Sequence, residues 1–544
     1  MAMPEDYVRE VLAESGVTLV SLDEKSFPDE RWLVAYVPES SVLAAQSIAG
    51  EIERVLNGSE EYADDRGAAW VVAFRPEAKS EQADTTTVKG RLFTREVDQL
   101  IQLLEARSRT SDALPSLNYV EDPRASLAAV AASRHHLIYG RRGVGKTALL
   151  LEAKRHAEQQ GHTSVWFNAH VVRNLTAAEA FCVIAESAMS AVAKAGGTSK
   201  ASGFELVLAQ SKRLREMREN DEVSARGVAR LIPDLNAALR KLLRADILRM
   251  YLYLDDFYLL PHDVQPILLD HLASMLRDCD GWLKIASIER LTRPFEPSSK
   301  AGLEVPHDAS VIDIDVTLED PAAAQKFLEA VLTNYTATAG IRQPSSVAKP
   351  EALGRLVLAS GGVPRDYLNL FAASIVVARA ARSAAREVGK EDVAQAAGTA
   401  ARGKKRDLEQ DVSSDNATDL LETLRKVSEV VKGHGYTYFL VNMAQKSTVA
   451  YELLGQLVDL RFAHLVQGSL SDQHRPGLRY EAYMLDLSEF SDVRLQRGLN
   501  VLDLEGGRWT WRLTGQARKT QKLTGTQLRD RLRQAPVVDL DQLG

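Results

Sequence analysis

"HLIYGRRGVGKTALL", residues 136–150, holds a short apolar strand, a loop with Gly140, Gly143 and Gly145, and Lys146-Thr147 opening a helix. The spacing is G-x-x-x-x-G-K-T, and each residue type in it has a task. Glycines let the backbone curl so that its N–H groups, that of Val144 among them, turn inward toward phosphate oxygens. Lys146 reaches the β- and γ-phosphates, and the Thr147 hydroxyl takes a place on Mg²⁺. The helix beginning there adds the positive end of its dipole. An intact pattern between an apolar strand and a helix implies a grip on a nucleoside triphosphate, with ATP and Mg²⁺ as the expected ligands.

Outward from this loop, apolar strands recur as "TSVWFN" (163–168), "RMYLYLDD" (249–256), "WLKIAS" (282–287) and "SVIDIDV" (310–316), with helical stretches between them. Near-continuous apolar strands alternating with helices predict a parallel sheet covered on both faces. Residues 111–317 are therefore expected to form the nucleotide-binding core. Residues 318–399 are Ala-rich and helical in pattern, as a lid would be. The polar stretch 400–417 reads as a linker. A helix, the strand "YTYFLVN", a helix over 448–460 and two strands around a Gly/Pro-containing loop follow, in the order of a winged helix. Residues 418–544 are assigned to that domain and its tail.

The chain of 544 residues is too long for one core. Its apolar and charged fractions, 45% and 26%, are those of a soluble globular protein. No apolar run approaches the ~18 residues of a membrane span. The two cysteines, Cys182 and Cys279, lie far apart without histidine at ligand spacing, which argues against a disulfide scaffold or zinc site and fits a cytoplasmic setting. Of the net charge of −7, residues 1–110 contribute 21 acidic and 12 basic side chains, so the rest of the chain is slightly basic. This acidic piece reads as a small α+β domain that would repel a phosphate backbone and suits a protein partner.

Phosphate binding alone cleaves nothing. Cleavage needs a metal anchor and a base for water, and "YLYLDD" supplies both: Asp255 to hold Mg²⁺ and Asp256 to polarise water. The next strand ends in "ASIERLTR", where Ser287, or less favourably Glu289, would sense the γ-phosphate. Arg290 or Arg293 could enter a neighbouring subunit's site and stabilise transition-state charge. In "SGGVPRD", Arg365 sits where a lid helix starts and can report the nucleotide's state to the lid.

With these pieces in order, residues 115–490 resemble the AAA+ superfamily, and within it ATPases of the origin-recognition-complex type. The resemblance rests on "GRRGVGKT", "YLYLDDFY", the polar tip of "WLKIAS", "GGVPRD" and the winged-helix order. It implies an ASCE-type sheet with a helical lid, ATP-driven self-association through an arginine finger, and duplex DNA held by the winged helix. Two features depart from the pattern. Asp255-Asp256 stands where the family has Asp-Glu, and the shorter carboxylate implies slow turnover. An Asp-Asp pair with a "GGVP" turn also resembles STAND ATPases, which are signalling switches. The discriminating region is 441–480, where Lys446, Arg461, Arg475 and Arg479 face Glu452, Asp459 and Asp472. Lys446, Arg475 and Arg479 are the expected DNA contacts, helped by Arg402, Lys404, Lys405 and Arg406 of the linker. The net charge is thin for many phosphates, and a protein-docking winged helix is the alternative.

Overall fold

The computed structural model describes residues 3–26, 30–38, 41–59, 62, 69–76, 90–108, 119–195, 203–245, 249–411, 414–473, 475, 477–486, 489, 498–514 and 520–542. They belong to two units, Met1–Val88 and Lys89–Gly544.

The first unit runs α1 (Pro4–Glu14), β1 (Ser21–Ser26), β2 (Glu30–Val37), α2 (Val42–Gly58) and β3 (Ala69–Pro76). β2 is central, antiparallel to β1 and parallel to β3. Alternation along β2 sends Leu33, Ala35 and Val37 to one face, where Val8 and Leu12 of α1 and Ile52 and Leu56 of α2 cover them. Each helix contributes apolar residues four apart, the spacing that builds a single stripe.

The second unit opens with α3 (Arg95–Ser108) and α4 (Ser126–Val130). Then come β4 (His135–Tyr139), α5 (Lys146–Gln159), β5 (Thr163–Asn168), α6 (Ala177–Ala195), α7 (Phe204–Glu219), α8 (Ala225–Ala245), β6 (Met250–Asp255), α9 (Val264–Leu276) and β7 (Gly281–Ser287). A two-residue hairpin, β8 (Phe295–Glu296) with β9 (Ala301–Gly302), precedes β10 (Ala309–Asp313). The sheet order is β10-β4-β7-β6-β5, parallel throughout. Among these five strands that is fifth, first, fourth, third, second. The order separates the glycine-loop strand β4 from the acidic strand β6 by one strand and sets both C-terminal ends on one rim. It is an α/β P-loop fold, and all six residues of β6 are buried, as its unbroken apolar run requires.

Four helices follow: α10 (Pro321–Thr338), α11 (Pro350–Ser360), α12 (Pro364–Ala381) and α13 (Lys390–Asp411). The boundary expected at residue 110 lies instead at 88/89, because Val97, Leu100 and Leu104 of α3 join the core of these helices. The stretch read as a linker also differs. α13 continues to Asp411 and α14 (Ser414–Gly433) begins three residues later. Ala, Lys, Arg and Glu are strong helix formers, so polar composition up to Asp411 does not mark a loop.

β11 (Tyr438–Asn442), α15 (Val449–Asp459), β12 (Ala463–Ser471) and β13 (Arg479–Leu485) follow, with β13 central in an antiparallel sheet. A further hairpin, β14 (Asn500–Glu505) and β15 (Arg508–Leu513), is extended by β16 (Gln521–Lys522) and α16 (Gly525–Arg533). Leu502, Leu504 and Trp509 enter the same core as Leu356, Leu370 and Phe371 of α11 and α12. The four-helix lid and the C-terminal domain thus share one hydrophobic core.

Candidate functional site

The loop after β4 carries the backbone its sequence requires. Gly143 and Gly145 have φ of +85° and +111°, values that side chains resist. At Gly143 a Cβ would also stand 2.8 Å from Cβ of Arg365, so the loop and the start of α12 are in direct contact. The Arg365 amide donates to the Gly143 carbonyl at 3.2 Å, while its side chain is exposed at the loop. Gly140 and Val144 close the other side, with a Cβ at Gly140 only 2.8 Å from Val144.

Lys146 is buried, and its Nζ donates to the carbonyls of Gly140 (2.6 Å) and Arg141 (3.0 Å). Burial lowers its pKa to about 8, against the opposing pull of Asp256 and Asp255. The Thr147 hydroxyl donates to Asp255 Oδ2 at 2.8 Å, which joins the first turn of α5 to the end of β6. Burial and the neighbouring Asp256 push the Asp255 carboxyl up to about 6, although the Thr147 bond opposes this. A hydroxyl and a buried carboxylate short of countercharge form an all-oxygen donor set suited to a hard divalent cation. Thr147 and Asp255 fit Mg²⁺, which when bound would neutralise phosphate charge.

Asp256 adopts a left-handed φ of +52°, and its amide donates to Asp255 Oδ1 at 3.0 Å. Asn168, at the end of β5, donates from Nδ2 to Asp256 Oδ2 at 3.3 Å. The Asn168 carbonyl oxygen accepts from the His170 amide at 2.9 Å and so fixes the orientation of the side chain. The sequence reading missed Asn168. A polar residue ending a strand beside the acidic strand was its only signal.

Ser287 ends β7 opposite Tyr139 of β4, between the loop and the acidic pair. It is fully buried, and its hydroxyl is shared with Thr292 Oγ1 at 2.5 Å. Glu289 is exposed in the turn that follows. Arg293 pairs with Glu296 at 2.5 Å and keeps a half-exposed side chain. Its amide donates to the buried Gln265 side chain at 2.7 Å, another positioning residue the sequence did not disclose. Arg290 has turned the other way, to Glu452 (3.3 Å) and Asp459 (3.5 Å) of α15. Gly455 makes room for it, since a Cβ there would collide with the guanidinium at 1.7 Å.

A second arginine docks the C-terminal domain on the loop. Arg461, just past α15, donates to the Arg142 carbonyl at 3.2 Å and pairs with Asp366 at 2.6 Å. Asp366 adjoins Arg365, and Lys404 of α13 approaches it at 3.4 Å. Arg141 is buried on Asp315 (2.7 Å) and on the carbonyls of Val316 and Gly361.

The residues assigned to DNA separate. Arg475 is exposed between β12 and β13, and Arg479 is exposed at the start of β13. Lys446 is taken up by Glu481 at 2.7 Å, and the same carboxylate accepts from Tyr451 and Tyr483. It is committed to its own domain, because releasing it would leave Glu481 buried without its cation. Lys405 likewise pairs with Glu489.

No protein-family model matches the sequence, and no curated protein matches it. Among solved structures, RuvB of Thermotoga maritima aligns over 73% of this chain and 95% of its own, at 11% identity and a TM-score of 0.29. A DNA replication initiation factor aligns over 57% and 77%, at 14% identity and a TM-score of 0.27. Drosophila ORC bound to DNA aligns over 71% and 94%, at 12% identity and a TM-score of 0.24. At scores this low the fold stands on its own sheet order and loop geometry.

Proposed function

We propose that the chain is an ATP-binding, slowly hydrolysing switch of the AAA+ type. The observation that carries this is the 2.8 Å bond between Thr147 and Asp255, with Asp256 next in the chain, at the rim of a fifth-first-fourth-third-second sheet. Lys146 and the loop amides bind the phosphates, Thr147 and Asp255 hold Mg²⁺, and Asp256 polarises the attacking water. Ser287 senses the γ-phosphate through the Thr292 turn. Arg365 reports to the lid, and because lid and C-terminal domain share a core, any lid movement carries the winged helix with it. Self-association with ATP would use Arg293, the arginine of the pair that is not bound to α15. The acidic unit of residues 1–88 would meet a protein partner, and the setting would be cytoplasmic. Among the described residues no helix is long and apolar enough to cross a membrane. Duplex DNA would be contacted through the exposed Arg475 and Arg479.

A second reading, a STAND-like regulatory ATPase with a protein-docking winged helix, is favoured by one observation. α15, the helix that would enter a DNA groove, turns Glu452 and Asp459 toward Arg290 of the core. In this arrangement it serves as an internal contact. Lys146→Ala tests the shared foundation: ATP binding and hydrolysis should both be lost. Equal affinity and turnover in that variant would remove the nucleotide site from both readings.

A further inference from the structure

Residues 508–533, which follow β14 and its turn, hold eight arginines and lysines against a single acidic residue, Asp530. Their last element, α16, is held firmly. Thr524 and Gln527 exchange side-chain-to-backbone bonds in a capping box. Leu528 and Leu532, four residues apart, are buried. That fixes which way the remaining face turns. Arg531 lies over the Trp511 ring at 3.8 Å, and Arg529 and Arg533 form a second row.

Arg533 ties this row to the wing. Its Nε donates to the Ser471 carbonyl at 3.2 Å, and Ser471 is the register partner of Arg479 across β12 and β13. Arg475 lies within the same wing, between these strands. Arg475, Arg479 and Arg529 are exposed, and none has an ion pair among the described residues. Among the described residues Asp530 pairs with Arg533 at 3.0 Å, and the Asp472 carboxylate of the wing accepts from the Arg475 amide at 3.2 Å. Exposed guanidinium groups without a carboxylate partner suit phosphate oxygens.

We infer that the wing and α16 together form one phosphate-binding surface, with Arg475, Arg479 and Arg529 as its free cations and Arg533 as the joint, and that its occupant is the backbone of duplex DNA. This rests on the duplex-DNA reading above and extends its contact from Arg475 and Arg479 of the wing to α16. α15 then remains on the ATPase core while DNA is held.

The test is fluorescence anisotropy of the full chain with a duplex oligonucleotide across a salt series. Arg529→Ala should weaken binding and lower the salt slope by about one. Arg529→Glu should weaken it further, and neither should change ATP turnover without DNA. Because the Arg529 side chain is exposed and makes no ion pair or hydrogen bond among the described residues, both variants should fold, which an unchanged melting temperature would verify. If Arg529→Glu binds like the parent while Arg475→Ala/Arg479→Ala is weakened, α16 is excluded and the wing reading stands. If the parent binds no duplex at low salt, the DNA reading falls and this surface with it. Equal affinity for a single strand of the same length would overturn duplex backbone as the occupant.

Discussion

Asn168 and Asp256 come from neighbouring strands and meet at 3.3 Å, so the carboxylate assigned to water is already engaged by an amide. Removing the amide frees the carboxylate. Asn168→Ala should change kcat, raising basal hydrolysis within about tenfold, and leave ATP affinity as it was. A change confined to affinity in a steady-state titration would show that Asn168 shapes binding instead.

Asp256→Asn should keep ATP and lose turnover by about 10²-fold or more, the usual worth of a positioned base. Asp256→Glu should be tolerated, since one more methylene extends the carboxylate toward the water. Single-turnover hydrolysis of the two variants decides this, and parental rates in Asp256→Asn would acquit the residue.

Arg461 should matter more than Arg290 for holding α15 and the C-terminal domain on the core. The Arg290 side chain is 36% exposed and its pairs with α15 are long, so it is worth ~1 kcal/mol at most. Arg461 is 15% exposed and touches both Asp366 and the loop carbonyl. Hydrogen exchange in α15 should rise clearly in Arg461→Ala and only slightly in Arg290→Ala. The reverse order would place the clamp at Arg290.

Arg293→Ala should cut hydrolysis without cutting ATP affinity, and self-association should need ATP. Mixing it with Lys146→Ala chains should recover activity if the arginine acts in trans. A rate independent of protein concentration, from a monomer, would rule the finger out.

Asp503 joins the C-terminal hairpin to the lid through Arg355, at 3.1 Å, and Lys390. Burial pushes its carboxyl up, but the two cations outweigh burial and hold it below the ordinary carboxylate range. Its folded pKa being depressed, the stabilisation is present above the unfolded value of ~3.9 and is lost as pH falls through the folded one. Asp503→Asn should lower stability by about 3–5 kcal/mol, the usual cost of breaking a buried pair. It should also remove that acid-sensitive part of the melting profile. An unchanged melting temperature at neutral pH would show the pair to be dispensable.

The glycine loop, the acidic pair and the alternation of strands and helices were legible in the linear chain, because each is a local pattern. Phosphate cradles need glycines at set spacings, a twice-covered sheet needs unbroken apolar strands, and a metal carboxylate follows such a strand. Only the tertiary structure decided what depends on residues distant in sequence meeting in space. It brought Asn168 to Asp256 and sent Arg290 to α15 rather than outward. It also consumed Lys446 on Glu481 and seated Arg461 on the loop, 319 residues away in the chain. A charged side chain looks the same in a sequence whether it is free or paired. Its partner is chosen by packing, and burial then makes that partner obligatory. The same holds for α3, where polar composition suggested separation and packing joined Val97, Leu100 and Leu104 to the core of the second unit.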